Sequence, residues 1–305
     1  MEAYDMTMHP DQIEVKLDMV RRLVDEQFPL WRSLPIREMA ASGTVNALFR
    51  IGDRLTARFP LQPGDIAWTR LQLESEADAA RKLLDNTPFP TPEPVAVGQP
   101  GAGYPLPWSV QTWLPGATAD ETDPGDSVPF AHDLASFVRA VRALDTEGKS
   151  FSGSGRGGDL RDHDQWMETC FRKSERLLDV PRLRGVWSVL RELPASASVD
   201  TMTHGDLIPG NVLVSQGHLV GVLDVGGLGP TDPTLDLVAA WHLMDEAPRQ
   251  SFRADLDCDD LEWQRGKAWA FEQAMGAVWY YVDSNPAMHR MGMRTIDRIM
   301  TERFV

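Results

Sequence analysis

Apolar residues recur at helical spacing near the start of the chain. Ile13, Leu17, Val20, Val24 and Phe28 share one face between residues 11 and 28, and Pro29 stops the pattern. A period of two follows. Leu48-Phe49-Arg50-Ile51 and Leu55-Thr56-Ala57-Arg58-Phe59 flank Gly52-Asp53, which predicts two strands joined by a hairpin. Helical spacing returns over residues 71–84. The Pro-rich stretch PFPTPEPVAVG predicts a loop leading into extended chain, and Trp108 to Leu114 reads as a further strand broken by Pro115-Gly116. From there the character changes. Residues 116–129 read as an acidic, turn-rich loop, and segments 131–145, 164–178, 181–193, 233–244 and 262–282 are helical in period. Leu134, Val138 and Val141 form one stripe, and Val186, Trp187 and Leu190 another. The only strands predicted in this half are Val212-Leu213-Val214 and Leu219 to Leu223, joined by Ser215-Gln216-Gly217-His218. The pattern thus predicts a small sheet-containing part over residues 1–115, with a hinge near 110–115, and a larger helical part over 116–305.

Composition narrows the class. The 305 residues are 42% hydrophobic and 25% charged, ordinary for a soluble globular protein. No apolar run approaches the ~20 residues of a membrane span, so no membrane partner is expected. The N-terminal MEAYDMTMHPDQIEV is polar and acidic, unlike a signal peptide. A net charge of −15 argues against a nucleic-acid partner, which needs basic surface, and suits a cationic small molecule. Many cytoplasmic proteins are equally acidic. Cys170 and Cys258 stand far apart in no ligand spacing, so a cytoplasmic location is expected rather than a disulfide scaffold or zinc site.

Chemistry concentrates in His204-Gly205-Asp206-Leu207-Ile208-Pro209-Gly210-Asn211 and Asp224. An amide lies five residues after the first carboxylate, and a second carboxylate follows thirteen further on. That is the spacing of a phosphoryl-transfer loop, in which one Asp takes the acceptor proton while Asn and a second Asp hold Mg²⁺ on a nucleotide. The predicted hairpin strengthens the match, because it returns Asp224 beside Asn211. The alternative is a loop aspartate and a turn asparagine. For His204 the better role is structural, tying the loop to the core. Asp224 ends a buried-looking strand next to Gly226-Gly227, where the backbone can approach a metal ligand closely.

Weaker signals surround this motif. Asp232 before Pro233 is explained as a helix N-cap, and Asp236 as a first-turn acid that also braces the 204–211 loop. Ser42-Gly43-Thr44-Val45-Asn46 can cover nucleotide phosphates with backbone N–H groups or be a plain turn. Arg58 in mid-strand and Glu76 on the following helix form a candidate phosphate cation and its ion-pair partner, or a solvated pair. Arg156 to Asp164 is a charged loop opening a helix, with Asp162 a candidate acceptor contact. Trp269, Glu272, Gly276, Trp279 and Tyr280 share a helix face. Trp269, Glu272 and Tyr280 can cradle an ammonium-bearing ring, although an aromatic core stripe explains them as well.

HGDLIPGN, GVLDVGG and DPTLDLVAAW together resemble the core of the aminoglycoside phosphotransferase family, antibiotic kinases related in fold to protein kinases and sharing this pattern with macrolide phosphotransferases. QFPLW, SGTVNALFRIGDRLTARFP, ESEADAARKLL, QTWLPG and GRGGDL extend the likeness over roughly residues 10–290. The resemblance implies an α+β, protein-kinase-like two-lobed fold with a small β-sheet N-lobe and a larger, mainly helical C-lobe. It implies Asp206 as catalytic base, Asn211 and Asp224 as Mg²⁺ ligands, and Arg58 with Glu76 as the nucleotide-phosphate cation and its partner. Residues 42–46, including Ser42 and Thr44, match the nucleotide-covering loop. Gln111 through Leu114, including Trp113, match the hinge that receives the purine. The expected reaction moves the γ-phosphoryl of ATP or GTP to a hydroxyl of a cationic or polyhydroxylated small molecule, an aminoglycoside first. The alternatives are a kinase for a macrolide or another hydroxylated metabolite, and a catalytically idle nucleotide-binding regulator. The chain departs from the family pattern in Val225 after the second Asp, in a single glycine in the phosphate loop, and in Arg for Lys at 58.

Overall fold

A computed structural model describes residues 12–39, 45–153, 155–195 and 199–302. The chain divides into two compact units, Met1–Leu84 with Pro90–Pro115, and Asp85–Phe89 with Gly116–Val305.

The first unit is built on one antiparallel sheet. Its elements are α1 (Leu17–Gln27), β1 (Ile36–Met39), β2 (Asn46–Ile51), β3 (Leu55–Pro60), α2 (Ile66–Leu83), β4 (Pro94–Gly98) and β5 (Trp108–Thr112), with strand order β1-β2-β3-β5-β4. The predicted hairpin pairs Ile51 with Leu55, and Gly52 takes a positive φ at its turn. Phe49, Ala57, Phe59, Trp108 and Val110 are fully or almost fully buried, in one core with Val20, Leu23 and Val24 of α1. The Phe59 and Trp108 rings stack with centroids 4.7 Å apart. Because side chains alternate along a strand, Thr56 and Arg58 leave β3 on the opposite face from Ala57 and Phe59, and both are also buried. The α2 helix starts five residues earlier than its apolar spacing implies. Asp65 caps it by accepting from the Trp68 amide at 2.9 Å.

The second unit is mainly helical. It contains β6 (Ala117–Thr118), α3 (Ala119–Thr122), α4 (Val128–Arg142), α5 (Asp164–Ser174), α6 (Val180–Leu190), β7 (Thr201–Thr203), β8 (Val212–Ser215) and β9 (His218–Val222). There follow β10 (Gly229–Thr231), α7 (Ala239–Leu243), α8 (Glu246–Asp255), α9 (Asp260–Tyr280) and α10 (Pro286–Thr301). The hairpin after Asn211 forms as β8 and β9, but three further strands correct the expectation of a single hairpin here. β6 pairs with β8, and β7 with β10. Strands of two or three residues are too short to show a period. Segment 233–244 divides into a 3-10 helix over Pro233–Val238 and then α7. The α9 helix runs through the core and is buried on nearly every side from Trp263 to Val278. Gly276 is what lets α9 pack so closely: a Cβ there would lie 2.9 Å from the Trp166 ring. Asp232 does cap the 233–238 helix, accepting from the Thr234 amide at 2.9 Å, but it also carries a buried ion pair with Arg265, whose Nε donates to it at 2.9 Å. Both cysteines are buried and unbridged. No described helix is long and apolar enough to cross a membrane.

Candidate active site

The chain leaves β7 at Thr203 and turns at His204-Gly205, where Gly205 has φ 79°. The His204 imidazole is wholly buried. Its Nδ1 accepts from the Asp206 amide at 3.3 Å, which places the ring proton on Nε2, 3.0 Å from the Leu223 carbonyl. One neutral ring thereby joins the Asp206 backbone to the end of the hairpin. Asp236 completes the support, accepting from the amides of His204 at 2.8 Å and Gly205 at 2.9 Å. Burial pushes the Asp236 carboxyl upward, against the pull of these two amides.

Asp206 is partly exposed, with 27% of its side chain open to solvent. The Asn211 amide nitrogen donates to both its Oδ2 and its main-chain oxygen, each at 3.0 Å. Its Oδ1 takes an ion pair from Arg156, whose Nη1 also donates to the Gly205 carbonyl at 3.2 Å. The Leu223 amide donates to the Asn211 carbonyl at 2.8 Å, so the residue before Asp224 is tied to Asn211 itself. Asp224 is exposed and sits at φ 54°, ψ 62°, a left-handed conformation that costs about 1 kcal/mol and that Asp tolerates better than most residues. Asn211 spends its amide nitrogen on Asp206, and its amide oxygen and the Asp224 carboxylate offer two oxygen donors. Two hard oxygen donors suit Mg²⁺, which takes the rest of its shell from water and substrate phosphate. Among the described residues no group of three or more His, Cys, Asp or Glu forms a self-sufficient metal cage.

In the first unit, Arg58 on β3 is ion-paired with Glu76 on α2, and its Nη1 lies 3.4 Å from the Gln111 Oε1 on β5. Those three residues come together. Trp113 does not join them: its ring lies under the Arg50 guanidinium at 4.2 Å, and its amide donates to the Arg54 carbonyl at 2.8 Å. Ser42 and Thr44 lie outside the described residues.

The four candidate acceptor residues do not form one cradle. Trp269 is fully buried, edge-on to the His163 ring at 4.9 Å. Glu272 is also buried, and its carboxylate meets His163 Nδ1 at 3.1 Å. The other nitrogen of His163 lies 3.3 Å from the Gly157 carbonyl. Both ring nitrogens therefore face acceptors, and the hydrogen bond that His163 donates to Glu272 raises the histidine pKa despite burial. Asp162 and Tyr280 are exposed. Asp162 sits on a 3-10 turn over Leu160–His163, and the Tyr280 ring packs between those of Trp279 and Tyr281.

Two features went unread in the sequence. Arg156 stood there as part of a charged loop, and its partner lies 50 residues away. Asp120 stood in an acidic loop. It lines a cavity of about 160 Å³ with Asp123, Pro209, His242, Arg290 and Arg294, and its buried Oδ1 has no partner among the described residues. That volume is well under the ~300 Å³ lower bound for drug-sized ligands, enough for an amino group or a water but not for a whole antibiotic.

The profile of the phosphotransferase enzyme family matches residues 38–269. An aminoglycoside 3'-phosphotransferase of Escherichia coli is 27% identical over 155 residues, an alignment covering 46% of this chain and 53% of that protein. The chain thus spans about half the length of the curated relatives it matches. Among solved structures, that of APH(2")-IIIa in complex with GDP and kanamycin superposes with a TM-score of 0.68 at 18% identity, covering 95% of this chain and 100% of the other. The apoenzyme of a macrolide 2'-phosphotransferase from Brachybacterium faecium superposes with a TM-score of 0.60 at 17% identity, covering 95% and 100%. At such identities the likeness is one of fold, and the fold is the α+β, kinase-like one.

Proposed function

The chain belongs to the phosphotransferase enzyme family, and on that premise we propose that it moves the γ-phosphoryl group of ATP or GTP to a hydroxyl of a small molecule, an aminoglycoside-type antibiotic first. The observation that carries the reading is the joining of Asp206, Asn211 and Asp224 through His204 and the Leu223 amide. Asp206 orients the acceptor hydroxyl and takes its proton late, because the transition state is loose. Asn211 and Asp224 would hold Mg²⁺, which neutralises charge on the nucleotide phosphates when bound. Arg58, fixed by Glu76 and Gln111, serves as the phosphate cation. Its forked guanidinium can bind two phosphate oxygens at once, where a lysine offers a single point charge. Ser42 and Thr44 are proposed to cover the phosphates. Main-chain groups of the Gln111–Leu114 strand end receive the purine, but not through the Trp113 amide, which is already spent. The net charge of −15 favours a cationic acceptor, and Asp120, with a buried oxygen left unpaired, is a better candidate to meet an amino group than the occupied Glu272. The fold-level likeness to a macrolide phosphotransferase supports a second reading, a macrolide acceptor.

The test is nucleotide release with ATP and with GTP across aminoglycosides, macrolides, choline and sugars. Release with an aminoglycoside is the expected result. Asp206→Ala should lower kcat by at least ~10³-fold while nucleotide still binds, and Asp224→Ala should abolish Mg²⁺-dependent nucleotide binding. A thermal shift with Mg²⁺-nucleotide but no release with any acceptor would favour an idle regulator.

A further inference from the structure

The 204–211 loop and the Asp224–Gly227 turn carry two carboxylates and no Lys or Arg. Phosphoryl transfer spreads negative charge over three equatorial oxygens at the point where Asp206 meets the acceptor. Mg²⁺ would neutralise charge on the nucleotide phosphates, and among the described residues the cation that touches Asp206 is Arg156. Resting on the phosphotransfer reading above, we propose that Arg156 is a catalytic residue that holds the base with one nitrogen and the transferred phosphoryl group with the others.

Three observations carry this. First, the guanidinium is only partly spent. A guanidinium has five N–H donors, and Nη1 uses its two on Asp206 Oδ1 and the Gly205 carbonyl. The three donors on Nε and Nη2 have no protein partner among the described residues, and 46% of the side chain is open to solvent. Second, Arg156 leaves the base able to work. A carboxylate oxygen accepts at two positions, so with Arg156 on Oδ1 and Asn211 on Oδ2, each oxygen keeps a site for the acceptor hydroxyl. Third, the arm is built. Gly157 sits at φ 128°, and a Cβ there would fall 2.2 Å from Thr231 Oγ1. The carbonyls of Gly157 and Gly158 are held by His163 at 3.3 Å and by Arg265 at 3.4 Å. A solvated surface loop needs none of these anchors.

In the step itself the acceptor oxygen bonds to the γ-phosphorus as the bond from that phosphorus to the bridging oxygen breaks. The nucleoside diphosphate leaves with that electron pair, and the hydroxyl proton passes to Asp206. Arg156 donates to the equatorial oxygens throughout and neither gains nor loses a proton. Its planar fork, always charged, fits those oxygens better than an ammonium would.

The experiment compares wild type, Asp206→Ala, Arg156→Gln and Arg156→Lys with the best acceptor found in the screen. It reads kcat, acceptor KM, Mg²⁺-nucleotide affinity and melting temperature, with and without millimolar guanidinium ion. The expected result for Arg156→Gln is a fall in kcat of roughly 100-fold or more, with KM, nucleotide affinity and melting temperature near wild type. Added guanidinium should restore part of kcat in Arg156→Gln alone, and Arg156→Lys should fall between. Wild-type kcat in Arg156→Gln, a loss confined to KM, or a loss that guanidinium does not rescue would each overturn the role. If wild type turns over and Asp206→Ala is dead while Arg156→Gln is normal, this inference fails and the phosphotransfer reading stands. If wild type transfers no phosphate to any acceptor, both fall.

Discussion

Asp236 reaches the 204–211 loop through two backbone amides, those of His204 and Gly205. It touches no atom of the proposed reaction, yet it sets the loop's path. Replacing it by alanine strands a buried donor on His204 and a half-buried one on Gly205, at a cost of roughly 1–4 kcal/mol. Urea denaturation should show that loss in Asp236→Ala and a smaller one in Asp236→Asn, which keeps one carbonyl acceptor. A change below about 0.5 kcal/mol in Asp236→Ala would show that the loop does not depend on it. The residues of the proposed chemistry were the easiest to single out in the sequence, because spacing picks them out. Asp206, Asn211 and Asp224 lie within one short loop and one hairpin, so their separations alone imply that Asn211 meets Asp206 and that the residue before Asp224 is tied to Asn211. Asp232 with Arg265 and Asp206 with Arg156 were not legible. Their partners are 33 and 50 residues apart and are joined only by tertiary folding.

Elements followed the same logic. The amphipathic α4, α5 and α6 announce themselves because each buries one stripe. β6, β7 and β10 are too short for a period, and the 3-10 helix at Pro233–Val238 mimics an α-helix in its apolar content. The aromatic stripe on α9 carries two readings in the sequence, an acceptor cradle and a core stripe; a helix buried all round uses Trp269 and Glu272 for packing and an internal pair. That pair links α9 to the turn before α5, and it titrates. In the folded protein His163 holds its proton to a higher pH than an unfolded histidine, whose pKa is about 6.5. The folded state thus binds more protons between those two values. The stabilisation is complete below pH 6.5 and is lost as pH rises through the folded value. Denaturation midpoints measured from pH 6 to pH 9 should fall across that range in wild type, and His163→Gln should flatten the trend. An unchanged trend in the variant would assign it to another group.

For the molecule as a whole, the net charge of −15 sets the long-range field. A cationic acceptor is attracted before it docks, and salt weakens the attraction. Raising ionic strength from about 20 to 200 mM should raise the KM of a polycationic aminoglycoside by roughly three-fold or more, and leave an uncharged acceptor nearly unaffected. Equal salt effects on both would remove charge as a source of acceptor preference.

The buried Arg58 has a practical corollary. The nucleotide-site cation of many kinases is a lysine, whose ε-amine sheds its proton reversibly and then attacks electrophiles. Reagents that deliver an acyl group on a nucleotide depend on that amine. A guanidinium offers no such amine. If Arg58 is the phosphate cation proposed above, activity-based profiling built on amine acylation would pass over it, and enzymatic lysine acetylation could not silence the protein there. Covalent capture of such a site would have to aim at another functional group.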